Sequence, residues 1–318
     1  MGKVVVVGSF NVDHVWTTPA LPRAGETLSG EYATGPGGKG FNQAVAARRA
    51  GAETSFVCAL GDDAGGQLSR SLAAGDGIEL CDQRSERPTG TAGIYVDGEG
   101  RNSIVIGAGA NAALSAEFVA SRSDRIAKSR VVLAQLESPA DAVLAAMRAA
   151  REAGALAMLN PAPANAAVSS ELKASVDLLT PNETEFASLL IRHVGERIDA
   201  EAVAALDQAR LHALCRELAP NATVVVTLGA SGCFVSHSAE NTRGDESAYY
   251  RIPAEPARAV DTTGAGDAFS GALAASIATR SDSAFAQHVR FATRYAALST
   301  ERHGAALAMP HIDEMESG

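Results

Sequence analysis

Short apolar runs recur along the chain: KVVVVG (3–8), TSFVCAL (54–60), RVVLAQL (130–136), ALAMLN (155–160), VDLLTP (176–181) and ATVVVTLG (222–229). Their apolar residues are continuous rather than alternating with polar ones, the pattern of strands buried on both faces. Ala- and Leu-rich segments with helical spacing lie between several of them. One is PADAVLAAMRAAREAG (139–154), which opens at Pro139 and stops at Gly154. Strand, helix, strand at this spacing predicts βαβ units, and so an α/β fold with a doubly wound, mostly parallel sheet and helices on both faces. At 318 residues the chain is long enough to bury such a sheet in a large core.

Residues 14–34 (HVWTTPALPRAGETLSGEYAT) and 89–107 (TGTAGIYVDGEGRNSIVIG) break that rhythm. Both are rich in Thr, Tyr, Gly and β-branched residues, and the second carries a hairpin signal, VDGEGR, between two strand-like runs. They predict a small antiparallel sheet inserted twice into a core made of 1–13, 35–88 and 108–318. A small sheet over the mouth of a cleft is a lid candidate and, if its outer face is apolar, a dimer contact. Trp16 and Tyr32 then read as packing or dimer residues. The charged stretch HSAENTRGDES (237–247) reads as a solvated hairpin loop.

A formal charge of −10 argues against nucleic acid and anionic membranes as partners, so any phosphate must be received by local donors. Cys58, Cys81, Cys215 and Cys233 show no C-x-x-C spacing, which fits a reduced, cytoplasmic protein without a zinc site. The run of four valines near the start is too short for a signal-peptide core or a membrane span.

Two glycine clusters carry the chemistry. GPGGKGFNQ (35–43) satisfies G-x-G-x-x-G, a weak dinucleotide signal, yet EYAT before it belongs to the inserted sheet rather than to a βαβ strand. It reads equally as a loop holding a polar substrate. DTTGAGDAFSGAL (261–273) places Gly264, Ala265 and Gly266 before a helical run, where their amides can converge on an anion. Asp267 beside them is either a helix cap or a base that takes the proton of an attacking hydroxyl. No G-x-x-x-x-G-K-[ST] occurs, which sets P-loop NTPases aside.

GSFNVDH (8–14), GGKGFNQAVAA (37–47), GAGANAALS (107–115), QLESP (135–139), LNPAPA (159–164), TPNETE (180–185), TLGASG (227–232) and DTTGAGDAF (261–269) occur in one order. Together they resemble the ribokinase group of the PfkB family of carbohydrate kinases over nearly the whole chain. The resemblance implies ATP-dependent phosphorylation of a sugar, D-ribose foremost, with deoxyribose, fructose and adenosine as other acceptors. A sensor that kept the fold without turnover is a further, remote alternative.

By the same resemblance Asp267 is the general base and Gly264, Ala265 and Gly266 form the anion hole. Asn11, Asp13, Gly38, Lys39, Asn42 and Glu137 would hold the sugar. Asn182 and Glu185 would organise magnesium and its waters, with Thr227, Gly229, Gly232, Gly266 and Thr293 bordering ATP. Asp261, Thr263, Ser299, Arg302 and Gly304 match the positions that bind a potassium ion, although Ala308 stands where the family carries a hydroxyl. A homodimer through the lid is implied in the same way.

Overall fold

A computed structural model describes residues 2–316. The strands are β1 (Lys3–Val7), β2 (Asn11–Thr17), β3 (Glu31–Gly37), β4 (Glu53–Gly61), β5 (Glu79–Ser85), β6 (Gly90–Val96) and β7 (Asn102–Gly107), followed by β8 (Val131–Ala134), β9 (Leu156–Leu159), β10 (Leu178–Leu179), β11 (Thr223–Thr227), β12 (Cys233–Ser236) and β13 (Tyr249–Ile252). All the apolar runs named above form strands of one 9-stranded sheet, ordered β13-β12-β11-β10-β9-β8-β1-β4-β5. From β5 to β11 neighbours pair in parallel, and β12 and β13 close one edge antiparallel.

The valine run shows why the sheet sits in the middle of three layers. Val4, Val5, Val6 and Val7 are all fully buried. Because side chains alternate along a strand, Val4 and Val6 join one apolar cluster and Val5 and Val7 the other. The first cluster is covered by helices Lys39–Arg49, Ala265–Thr279 and Phe285–Ser299; the second by Ala140–Glu152, Glu183–His193 and Gln208–Leu218.

β1 lies between β4 and β8. The chain winds from β1 towards β4 and β5 and later returns to β8 on the other side. Connections therefore diverge at the β1/β8 boundary, which opens a crevice at the C-terminal ends of these strands, where α/β sheets bind ligands.

The separate small sheet has the order β3-β2-β6-β7. Its outer pairs are antiparallel as expected, but β2 and β6 in its centre run parallel. Each insertion supplies one antiparallel pair, and the two pairs join through strands that leave the core in the same direction. The strands also extend beyond 14–34, since β2 begins at Asn11 and β3 ends at Gly37. Asn11 and Asp13 thus stand on a lid strand, not in a turn.

The stretch 237–247 connects β12 to β13, but it is not simply a solvated loop. His237 is fully buried, its Nε2 lies 3.0 Å from the buried carboxylate of Asp245, and that carboxylate accepts the Ala286 amide at 2.9 Å. His237 and the Asp245 carboxylate anchor the loop in the interior, while residues 239–241 and 246–247 are exposed to water.

Candidate active site

At the β1/β8 crevice Ser9 donates its hydroxyl to Glu137 Oε2 at 2.6 Å, and the backbone amide of Lys39 donates to the same oxygen at 3.1 Å. Gly38 makes this contact possible. It has φ 87°, and a Cβ there would lie 2.8 Å from the Asn11 nitrogen and 2.9 Å from the Ser9 carbonyl oxygen. The glycine loop is thereby pressed onto the exit of β1. Asn111 Nδ2 donates to Asn11 Oδ1 at 2.8 Å and to the Phe10 carbonyl at 3.0 Å. With Oδ1 occupied, the Asn11 amide nitrogen is what that side chain offers a ligand. Burial, and then the negative charge of Glu137, push the Asp13 carboxyl up to about 7.

Asp267 sits in the first turn of the helix Ala265–Thr279 and is 6% exposed. It does not cap that helix, whose N-cap Gly264 adopts a left-handed conformation without a side-chain cap. Its Oδ2 accepts from Asn42 Nδ2 at 2.9 Å, and its Oδ1 accepts from Gln43 Nε2 at 2.8 Å. Burial raises its proton affinity, opposed by the Lys39 ammonium and by these two amides. Lys39 itself is held charged: burial works against it, but Asp267, Glu137 and Glu185 outweigh that and raise its proton affinity.

A cavity of about 140 Å³ joins Lys39, Asp267 and the Gly264–Gly266 segment to Asn182, Glu185 and Thr227. Lys39 therefore lines the space beside the Gly264–Gly266 segment, although its backbone belongs to the 35–43 glycine loop. Within the cradle Ala265 donates its amide to the Thr262 carbonyl at 3.2 Å. The amides of Gly264, Gly266 and Asp267 have no such partner among the described residues, so they rather than Ala265 are the ready donors.

Asn182 and Glu185 form a reciprocal capping box: Asn182 Oδ1 accepts the Glu185 amide at 2.8 Å, and Glu185 Oε2 accepts the Asn182 amide at 2.9 Å. Burial lifts the proton affinity of Glu185 against the pull of the Asn182 amide and Lys39. The box leaves Glu185 Oε1 for the cavity. Thr227 joins this wall through a parallel bridge to Asn182.

Gly229, Gly232 and Thr293 do not line that cavity. Gly229 and Gly232 flank a short turn between β11 and β12. Thr293 is buried, donates its hydroxyl back to the Val289 carbonyl at 2.9 Å and abuts Cys233.

Asp261 ties two loops together, accepting the Thr263 amide and the Gly304 amide at 2.9 Å each. The Ser299 hydroxyl donates to the Ala296 carbonyl and the Arg302 side chain to Glu314. The Asp261 carboxylate, the hydroxyl oxygens of Thr263 and Ser299 and backbone carbonyls are the oxygens these positions offer a cation. Ala308 is buried at the end of a short 3-10 helix in the last loop. Among the described residues, no group of three or more His, Cys, Asp or Glu side chains is arranged to hold a metal ion.

The blocks read from the sequence also contained residues whose roles that reading passed over. Ser9, Gln43 and Asn111 hold the expected ligand groups Glu137, Asp267 and Asn11, while Asn160 accepts from Gln43 and also lines the cavity. The available signal was an uncharged polar residue inside an otherwise apolar or glycine-rich motif, fully buried in the folded chain.

The sequence matches the description "pfkB family carbohydrate kinase" over residues 1–312. It is 36% identical over 314 residues to ribokinase from Haemophilus influenzae, covering 98% of this chain and 96% of that one. It is 37% identical over 315 residues to ribokinase from Mus musculus, covering 98% and 93%. The fold is similar to that of ribokinase from Giardia lamblia, with a TM-score of 0.87 and 29% identity, covering 99% of this chain and 97% of that one. It is also similar to Arabidopsis thaliana ribokinase complexed with ribose and ATP, with a TM-score of 0.84 and 29% identity, covering 99% and 98%. The chain thus belongs to the pfkB family of carbohydrate kinases.

Proposed function

We propose that the protein transfers the γ-phosphoryl group of ATP to the 5-hydroxyl of D-ribose, giving ribose 5-phosphate and ADP. The observation that carries this reading is the buried carboxylate of Asp267, hydrogen-bonded to the sugar loop through Asn42 and sharing one cavity with Lys39 and the helix-terminal amides. Ribokinases similar over nearly the whole chain support ribose as the acceptor.

Asn11, Asp13, Gly38, Asn42 and Glu137 hold the sugar hydroxyls. Asp267 takes the proton of the 5-hydroxyl, the oxygen attacks the γ-phosphorus, and the bond to the bridging oxygen of ADP breaks. The amides of Gly264, Gly266 and Asp267, with the Lys39 ammonium, receive the charge on the transferring group. Each well-placed donor of this kind is worth on the order of 10²–10³ in rate. The lid excludes water, which would otherwise compete as the acceptor.

Glu185 and Asn182 would hold the waters of a magnesium ion bound with ATP, and that ion would neutralise phosphate charge. Such an outer-shell role is consistent with an ion that keeps most of its hydration. Thr227, Gly229 and Gly232 border the nucleotide, and Thr293 shapes the wall behind it. A potassium ion would rest on Asp261 and on the backbone carbonyls of Thr263, Ser299, Arg302 and Gly304, adding positive charge beside the cradle.

Tyr32, Ile104, Val105 and Ile106 on the lid's outer strands are 54%, 52%, 67% and 47% exposed, which supports a homodimer through the lid. Among the described residues no helix is long and apolar enough to cross a membrane, and the four cysteines are buried and free. Both fit a cytoplasmic enzyme.

ADP release measured with ribose, 2-deoxyribose, fructose and adenosine tests the substrate. Preference for ribose is expected. Preference for another acceptor would keep the family and move the substrate, and binding of ribose without turnover would mark a sensor.

A further inference from the structure

Gln43 lies one residue beyond Asn42 in the helix Lys39–Arg49 and is fully buried. Its Nε2 donates to Asp267 Oδ1 at 2.8 Å and to Asn160 Oδ1 at 3.0 Å. Its Oε1 accepts from Gln135 Nε2 at 2.5 Å, and Asn160 Nδ2 donates onward to the Thr180 carbonyl at 2.8 Å. Every polar atom of Gln43 is therefore used. The bonds also run in one direction, from Gln135 through Gln43 to Asp267 and Asn160, so a flipped Gln43 amide would aim an oxygen at a carboxylate.

Asn42 differs in the respect that matters. It gives Nδ2 to Asp267 Oδ2, but its Oδ1 is buried without a partner among the described residues. A buried acceptor left unpaired is costly, and a ligand hydroxyl would relieve it. Asn42 is thus free to turn its bonding towards substrate, whereas Gln43 is fixed by the protein alone. Gly271 brings the two helices close enough for this: a Cβ there would lie 2.5 Å from the Gln43 carbonyl oxygen.

Resting on the reading of Asp267 as the base, we propose that Gln43 is a positioning residue. It occupies Oδ1 so that Oδ2 faces the sugar, and it holds the carboxylate in its charged form within a buried site. Burial alone drives Asp267 towards the neutral acid, which cannot accept a proton, and a hydrogen bond donated to the anion opposes that.

The test is Gln43→Met, which keeps length and volume and removes both donors, assayed as ribose-dependent ADP release across pH. We expect kcat to fall by roughly 10–100-fold near neutral pH, while the KM for ribose changes by less than about threefold. The acid limb of the kcat profile should move to higher pH by about one unit, because a lost donor disfavours the anion. The deficit then narrows as pH rises. A packing defect alone would lower kcat without moving that limb, and an unmoved limb overturns the proposal.

Gln135→Met removes the group that orients the Gln43 amide and should shift the limb in the same direction by less. If Gln43→Met does not fold, a wild-type limb in Gln135→Met overturns the proposal instead. Asp267→Asn in the same series separates the two readings. Retention of more than about a tenth of kcat in that variant defeats the base assignment itself, whereas an inactive Asp267→Asn beside an unshifted Gln43→Met defeats only the role of Gln43.

Discussion

The hydroxyl of Ser9 is bonded to Glu137 Oε2 at 2.6 Å across the exits of β1 and β8, two strands adjacent in the sheet but separated in sequence by the whole lid and by β4 and β5. This bond fixes a carboxylate at the point where the sheet's connections diverge. Ser9→Ala leaves Glu137 with the Lys39 amide alone. A hydrogen bond to a charged group contributes on the order of 1.5–3 kcal/mol, so the KM for ribose should rise by roughly tenfold or more with kcat little changed. Steady-state kinetics on ribose decide it, and a fall in kcat at constant KM would contradict the positioning role.

Asp13 links pH to both binding and stability. Its carboxyl is raised to about 7 by burial and by Glu137, while in the unfolded chain it titrates near the ordinary value of about 3.9. Below both values the two states are protonated alike and the residue contributes no pH dependence. As pH rises from about 4 to about 7 the unfolded state loses its proton first, so native stability falls, and above about 7 the cost is constant. Asp13→Asn should therefore unfold at a higher temperature than the wild type near pH 8 and at the same temperature near pH 4. The wild-type affinity for ribose should increase as pH passes through about 7, when Asp13 becomes a full acceptor. Thermal melts at the two pH values check the first statement, and a lower Tm for the variant near pH 8 would refute it.

In the proposed cation site Ala308 lacks the hydroxyl that would add to the oxygens offered by Asp261, Thr263, Ser299 and backbone carbonyls. Ala308→Ser supplies one more oxygen to a hard cation. The potassium concentration giving half-maximal activation should fall several-fold while the maximal rate stays the same. A potassium titration of ADP release measures this, and an unchanged midpoint would remove position 308 from the cation site.

The parallel centre of the sheet was legible because buried strands are written as continuous apolar runs, as in Val4 to Val7. β5 was not, since its sequence ELCDQRS belongs to an edge that meets water, and β12 and β13 are four residues each. The parallel pairing of β2 with β6 depends on two segments meeting in space, which no local pattern records. The site shows the same division. Groups expected to face ligand, such as Asp267 and Glu137, stand in recognisable motifs. Ser9 and Gln43 bond to other side chains, Asn160 joins Gln43 to Thr180 at the cavity wall, and these roles appear only when the strand ends converge. Lys39 stands among residues expected to meet the sugar, yet it lines the cavity beside the Gly264–Gly266 segment.

Proton transfer from the ribose 5-hydroxyl to Asp267 is the step on which the proposed reaction depends. Asp267→Asn keeps the side chain's size and removes the base, so ribose binding by calorimetry and kcat by ADP release should separate. Ribose affinity should stay within about threefold of wild type while kcat falls by at least about 10²-fold. A variant that retains more than about a tenth of wild-type kcat would contradict it.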